Sequence, residues 1–179
     1  VIALPAFAGA ATLRDVHVDH VDGIYVMHSE AWFDVGIEKI FALLLDWDES
    51  SKFSSVIVES RNLEPGPDGR ARYYSRNQGC LWFFCKSFER YGYVEHEPLK
   101  FIEATADPDK SDFEVSDERW EFREEADGTV VVYAFRMKPK FFIPPLIGPA
   151  ILKSKLKNGG IDALDRIEAL AQDYAPDAD

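Results

Sequence analysis

The sequence predicts an α+β domain, an antiparallel sheet followed by one long C-terminal helix, and three observations carry that expectation. From position 56 onward, stretches rich in β-branched and aromatic residues alternate apolar and polar side chains with a period of two. They are separated by the short turn-forming runs PGPDGR, EHEPLK, ADPDKSD and EADGT, and connections that short join antiparallel neighbours. Near the end the period becomes 3.6, with Ile147, Ile151, Leu156, Leu164, Ile167, Leu170, Ala171 and Tyr174 on one helical face. The 179 residues, 46% hydrophobic and 13% aromatic, suffice for one domain with a real core and exclude a disordered chain.

The chain opens VIALPAFAGAATLRD, where Ala6-x-Ala8 and Ala8-x-Ala10 follow an apolar start as small residues do at a signal-peptide cleavage region. The expectation is a signal-peptide remnant over 1–11, a mature chain beginning near Gly9 or Ala11, and a periplasmic or secreted location. The other reading is an apolar arm lying on the fold. Residues 12–22 are expected as an N-terminal arm. His17 and His20 in HVDH, with Asp19 and Asp22, stand there at i, i+3 spacing without a helical pattern, so a solvated arm is expected and a metal site is not.

GIYVMHSEAWFDV (23–35) is rich in β-formers and reads as a strand. Ile37, Ile40, Phe41, Leu44 and Leu45 then form one face of an amphipathic helix, with Asp34 placed to cap it and Glu38 suited to its first turn. DWDESSKFSS reads as a second short helix or a turn. Strands are expected at 56–64, 70–79, 84–97, 99–106, 113–125 and 129–140. In the last of these Val131, Tyr133, Phe135 and Met137 share a side opposite Arg136 and Lys138, and before it Trp120 and Phe122 oppose Arg119, Glu121 and Arg123. Each strand thus has one buried and one wet face, as in a sheet covered on one side. Within the helical stretch, NGG at 158–160 places two adjacent glycines, each costing about 1 kcal/mol relative to alanine, and predicts a bend or break.

Cys80 and Cys85 in QGCLWFFCKS are the two cysteines of the chain. In one continuous strand they would lie on opposite faces and could not bond; flanking a hairpin loop they would face each other, and an oxidising compartment would let them bond. A bridge and two buried thiols both remain open. Leu81, Trp82, Phe83 and Phe84 between them form either a strand interior or an apolar hairpin tip. Nucleophilic catalysis finds no support, because the sequence holds no Gly-x-Ser-x-Gly elbow and no glycine-rich phosphate loop.

The formal net charge of −12 argues against a nucleic-acid partner. The basic residues Arg136, Lys138, Lys140, Lys153, Lys155 and Lys157 nevertheless gather in FRMKPKFFIPPLIGPAILKSKLK (135–157), which contains no acidic residue. A segment both cationic and apolar suits an anionic membrane surface. Pro144 and Pro145 are placed to end the last strand and Pro149 to enter the first helical turn. No stretch approaches the roughly 18 apolar residues of a membrane span.

The order of elements resembles the START-like, or SRPBCC, superfamily over about residues 23–174, with 175–179 as a tail. The resemblance is carried by VGIEKIFALLLDWDESSKF, SDFEVSDERWEF with Trp120, DGTVVVYAFRM, and FFIPPLIGPAILKSKL leading into the last helix. It looks closest to the polyketide cyclase/dehydrase and coenzyme Q-binding branch, in particular to small exported bacterial proteins. That resemblance implies a helix-grip (Bet v 1-like) fold, a curved antiparallel sheet wrapped around a long C-terminal helix, with two short helices after the first strand. It also implies a cavity between sheet and helix for a hydrophobic small molecule such as a lipid, quinone or polyketide; no cofactor is expected.

The residues expected to line that cavity are Trp120, Phe122, Tyr133, Phe135 and Met137 from the sheet, and Phe142, Pro145, Leu146, Ile147, Ile151 and Leu156 from the passage into the helix. Trp82 and Arg76 are expected to join them from the 70–95 region. The leading expectation is a non-catalytic carrier. The alternative is an aromatase/cyclase-type enzyme using Glu118, His28 and an inward arginine. Glu118 shares the parity of Trp120 and Phe122, so it is expected to point inward, either for acid/base work or in a salt bridge with Arg72, Arg76 or Arg90.

Overall fold

The computed structural model describes residues 11–81, 84–143 and 148–175. Its elements are β1 (Thr12–Val21), β2 (Ile24–Phe33), α1 (Ile37–Leu45), α2 (Ser50–Phe53), β3 (Ile57–Leu63), β4 (Ala71–Leu81), β5 (Phe84–Glu97), β6 (Phe101–Ala106), a 3-10 turn (Pro108–Lys110), β7 (Phe113–Glu125), β8 (Gly128–Pro139) and α3 (Gly148–Asp173). The eight strands form one antiparallel sheet in the order β1-β2-β8-β7-β6-β5-β4-β3.

Residues 12–22, expected as an arm, instead supply β1. Val21 pairs with Ile24 across a two-residue turn, where Asp22 and Gly23 have φ of 52° and 80°. Asp-Gly supplies the two left-handed residues that a tight hairpin needs, and that dipeptide is the signal for this strand. The expected Asp34 cap is also displaced. Helix α1 starts at Ile37 with Gly36 at its N-cap, so Asp34 lies too far upstream to reach the first-turn amides; its own N–H donates to Glu168 Oε2 at 3.1 Å.

The glycines at 159 and 160 do not interrupt α3, which is helical from Gly148 to Asp173. A Cβ on Gly160 would stand 2.4 Å from Met27 Cε, whereas one on Gly159 would meet nothing within 4 Å. Gly160 therefore marks where the helix crosses β2 at close range. Pro149 sits in the first turn of α3, where its missing N–H costs no hydrogen bond.

Among the described residues, two apolar clusters lie between sheet and helices. The larger joins α1 and α2 with Ile167 and Ala171 of α3 against Tyr73, Val94, Ile102, Ala104, Phe122 and Val131. The smaller has three fully buried members, Tyr25, Phe113 and Met137, and is packed by half-buried Phe88, Phe135, Phe141, Ile143, Leu152 and Leu156. The C-terminal half of α3 is thus anchored in a dense core, with Lys39 Nζ donating to Gln172 O at 2.6 Å and Tyr174 Oη to Asp46 Oδ2 at 2.9 Å. Its first turns rest on the smaller cluster.

Candidate functional site

Strand parity brings a polar group onto the inner face between the two clusters. Tyr73, Ser75 and Asn77 of β4, Arg90 of β5, and Ser116 and Glu118 of β7 are all buried. Tyr133 of β8 joins them. Arg90 and Glu118 are 5% and 7% exposed, and Arg90 Nη2 donates to Glu118 Oε1 at 2.6 Å. Tyr133 Oη donates to Glu118 Oε2 at 3.1 Å. Both oxygens of the carboxylate are therefore engaged.

Aromatic rings surround the pair. Trp47 stacks on Tyr73 with centroids 3.9 Å apart, Trp120 lies 5.2 Å from Tyr133, and Tyr133 stacks on Phe135 at 6.3 Å. The Arg90 guanidinium is 5.4 Å from the Tyr73 ring and 5.8 Å from that of Phe135. Burial works against the Arg90 charge, but the Glu118 carboxylate more than offsets this and holds the guanidinium as a cation. Burial also pushes the Tyr73 and Tyr133 hydroxyls well above the usual tyrosine range, so both stay protonated.

Five buried polar atoms have no hydrogen-bond partner among the described residues: Trp47 Nε1, Tyr73 Oη, Ser75 Oγ, Arg90 Nε and Ser116 Oγ. Native interiors pair nearly all such groups, because an unpaired one costs about 1–3 kcal/mol. Four of the five belong to inward positions on β4, β5 and β7. The group thus offers N–H donors, and hydroxyls that donate or accept, to a polar group placed on this face.

Of the residues expected to line the interior, Trp120, Tyr133, Phe135 and Met137 do face inward, and Leu156 and half-buried Ile151 come from the start of α3. Phe122 is inward but packs edge-on against Phe41 at 5.2 Å in the larger core, so it supports α1. Phe142 is 81% exposed and points to solvent. Arg76 lies on the outer face in an ion pair with Glu59 at 3.1 Å, because Tyr73, Ser75 and Asn77 take the inward parity. His28 is likewise outside. It opposes His17 across the β1–β2 pair and faces Asp15 at 3.7 Å, while Met27, Ser29 and Ala31 are buried. Trp82, Pro145, Leu146 and Ile147 lie outside the described residues, as do Pro144 and nearly all of the expected signal remnant.

The sequence reading missed Tyr73, Ser75, Asn77, Ser116 and Trp47. The run RYYSRN carries a tyrosine and a polar residue on each parity, so its pattern does not say which side is buried. Cys80 and Cys85 are disulfide-bonded where β4 and β5 pair antiparallel, which excludes one continuous strand through both. His17 is exposed and bonded to Asp19 at 2.6 Å. Among the described residues no three His, Cys, Asp or Glu side chains are grouped to hold a metal, and no helix is long and apolar enough to cross a membrane.

No protein-family model matches the sequence, and no curated protein matches it. Solved structures do match the fold. The STAR-related lipid transfer protein from Xanthomonas axonopodis (fragment 25–204) aligns over 92% of this chain and 99% of its own, at a TM-score of 0.66 and 15% identity. A START superfamily protein from Mycobacterium smegmatis covers 84% of this chain and 99% of its own, at a TM-score of 0.65 and 14% identity. The Zhui aromatase/cyclase from Streptomyces sp. R1128 covers 83% and 94%, at a TM-score of 0.65 and 10% identity. With its eight-stranded antiparallel sheet closed on a long C-terminal helix, the chain has the START-like helix-grip fold.

Proposed function

We propose that this protein binds a hydrophobic small molecule between the inner face of the sheet and α3, with the polar end of that molecule on the Arg90–Glu118–Tyr133 group. The supporting observation is the set of unpaired buried polar atoms on Tyr73, Ser75, Arg90 and Ser116, set among Trp120, Tyr133 and Phe135. A ligand's polar end set on this face would give these atoms partners. Burying an apolar ligand surface of about 300 Å2 at roughly 25 cal/mol per Å2 gains about 7 kcal/mol before ordering costs, so affinity needs no covalent chemistry. A lipid, a quinone or a polyketide-like molecule fits that description. The named START and lipid-transfer structures are consistent with it.

The aromatase/cyclase alternative has to rely on Glu118, Arg90 and Tyr133, since His28 lies on the outer face. Glu118 already holds two hydrogen bonds, which suits a fixed recognition group better than a proton shuttle. Membrane exchange completes the proposal in a narrower form than the basic segment suggests. Arg136 pairs with Asp117, Lys138 with Glu114 and Lys153 with Asp19, while Lys140 donates to the Pro108 and Ser111 carbonyls. Docking on an anionic surface therefore falls to exposed Phe142 with Lys86, Lys155 and Lys157. The exposed disulfide suits an oxidising compartment, in keeping with export.

Native mass spectrometry of protein purified from its host tests the ligand: a non-covalent small-molecule adduct is expected. Protein that carries no adduct and takes up no neutral apolar dye would overturn the reading. Turnover of a polyketide substrate, abolished by Glu118→Gln, would favour the enzyme instead.

A further inference from the structure

Past Gln78 the β4–β5 ribbon leaves the sheet. The β3–β4 ladder ends at the Ile57–Asn77 pair, with Gln78 N–H donating to Val56 O at 2.8 Å. On the other side β5 pairs with β6 only from Gly92 onward. Between these limits Tyr91 and Glu89 bond to the segment after β6: Asp107 N–H donates to Tyr91 O, and Asp112 N–H to Glu89 O. Among the described residues, 79–81 and 84–86 pair in the sheet with each other alone. A free-standing two-stranded ribbon is marginally stable in water.

Among the described residues, two features hold it. One is the Cys80–Cys85 disulfide, which links directly opposed residues whose Cα atoms are 3.9 Å apart. The other is aromatic packing at the base: Phe88 sits 5.4 Å from both Phe113 and Phe141, and Lys86 Nζ lies 4.9 Å over the Phe141 ring. Phe141 belongs to the smaller cluster, with Leu152 and Leu156 of α3. The ribbon thus leans on the passage into α3, at the end of the molecule where the helix is least deeply anchored. Both cysteines are exposed, and the bridge closes a short loop at the edge of the fold, so its loss acts locally.

We infer that Cys80–Cys85 is a thiol–disulfide exchange site, open to a dithiol reductant, and that its reduction loosens the ribbon and speeds passage of the ligand at that end. The inference rests on the proposed binding of a hydrophobic molecule. In the exchange, a reductant thiolate attacks one sulfur and displaces the other as a thiolate. The second reductant thiolate then resolves the mixed disulfide. Two electrons pass to the cysteine pair, which takes up two protons to become two thiols, and the reductant ends as a disulfide.

The test compares oxidised protein, protein reduced by dithiothreitol under native conditions, and the C80S/C85S variant. Alkylation and mass measurement score reduction, hydrogen–deuterium exchange scores the ribbon, and stopped-flow uptake and release of the neutral dye Nile red score ligand passage. Expected are two alkylated thiols in the dithiothreitol-treated protein, amide exchange over 79–81 and 84–87 faster by about fivefold with β2 unchanged, and dye rates faster by about threefold in both forms that lack the bridge. A bond that resists native dithiothreitol, or a loosened ribbon with unchanged dye rates, would overturn the inference. Absence of dye uptake in every form would overturn the ligand reading and the gate together, while amide exchange would still report the staple.

Discussion

Replacing Arg90 by methionine tests the central polar group most directly. Arg90 and Glu118 are 5% and 7% exposed and 2.6 Å apart, so the substitution leaves Glu118 buried with Tyr133 Oη as its remaining hydrogen-bond donor. At an effective dielectric of about 20, two unit charges some 4 Å apart attract by about 4 kcal/mol, and breaking one side of a buried pair costs about 3–5 kcal/mol. For a chain of this size that lowers the thermal midpoint by roughly 10 °C. Replacing both partners, Arg90→Met with Glu118→Leu, removes the orphaned charge and should recover most of the loss, since a well-packed apolar pair is often neutral or stabilising. The assay is urea unfolding of the wild type, both single variants and the double variant, each followed by native mass spectrometry. The double variant should regain stability yet lose the bound molecule, which separates support of the fold from recognition of a polar end. A loss below about 1 kcal/mol for Arg90→Met, or a double variant as unstable as the sum of the singles, would refute the reasoning.

The helix glycines should respond differently to alanine. Gly159→Ala meets open space and should stabilise by about 1 kcal/mol, while Gly160→Ala has to displace the Met27 methyl and should gain clearly less; equal gains in thermal midpoint would contradict the close helix–sheet crossing. Burial raises the Glu168 carboxyl above its ordinary value of 4.5, partly opposed by the Asp34 N–H. The folded state then holds that proton more tightly than the unfolded chain, so this group's share of stability is fully present below pH 4.5 and declines as pH rises through the folded value. Glu168→Gln should flatten that segment of a urea-midpoint profile, and an unchanged slope would count against it. Phe142, 81% exposed, should matter at a surface and not for folding: Phe142→Ser should weaken sedimentation with anionic vesicles severalfold and move the thermal midpoint little. Equal binding of wild type to neutral vesicles would remove the electrostatic part of the proposal.

The sequence by itself determined what depends on neighbours a few positions away. Period two over 113–125 and 129–140, turn runs such as EADGT, and the 3.6 period after position 147 placed β7, β8 and α3 within a residue or so of their observed bounds. Parity within β7 also turned Glu118 inward. The tertiary structure decided what depends on register between distant strands. Glu118 had three arginines to choose from, and Arg90, 28 residues upstream, won because β5 faces it inward while Arg72 and Arg76 lie on the outer parity of β4. His28 fell outside because IYVMHSEAWF is apolar on both parities, and the packing of Met27 under α3 and of Ala31 and Phe33 in the larger core chose between its faces. The cationic segment was legible as charge, but its ion pairs to Asp117, Glu114 and Asp19 come from β7 and β1, which only folding brings beside it. Local periodicity sets which residues share a side; long-range pairing sets which side is buried and which charge meets which.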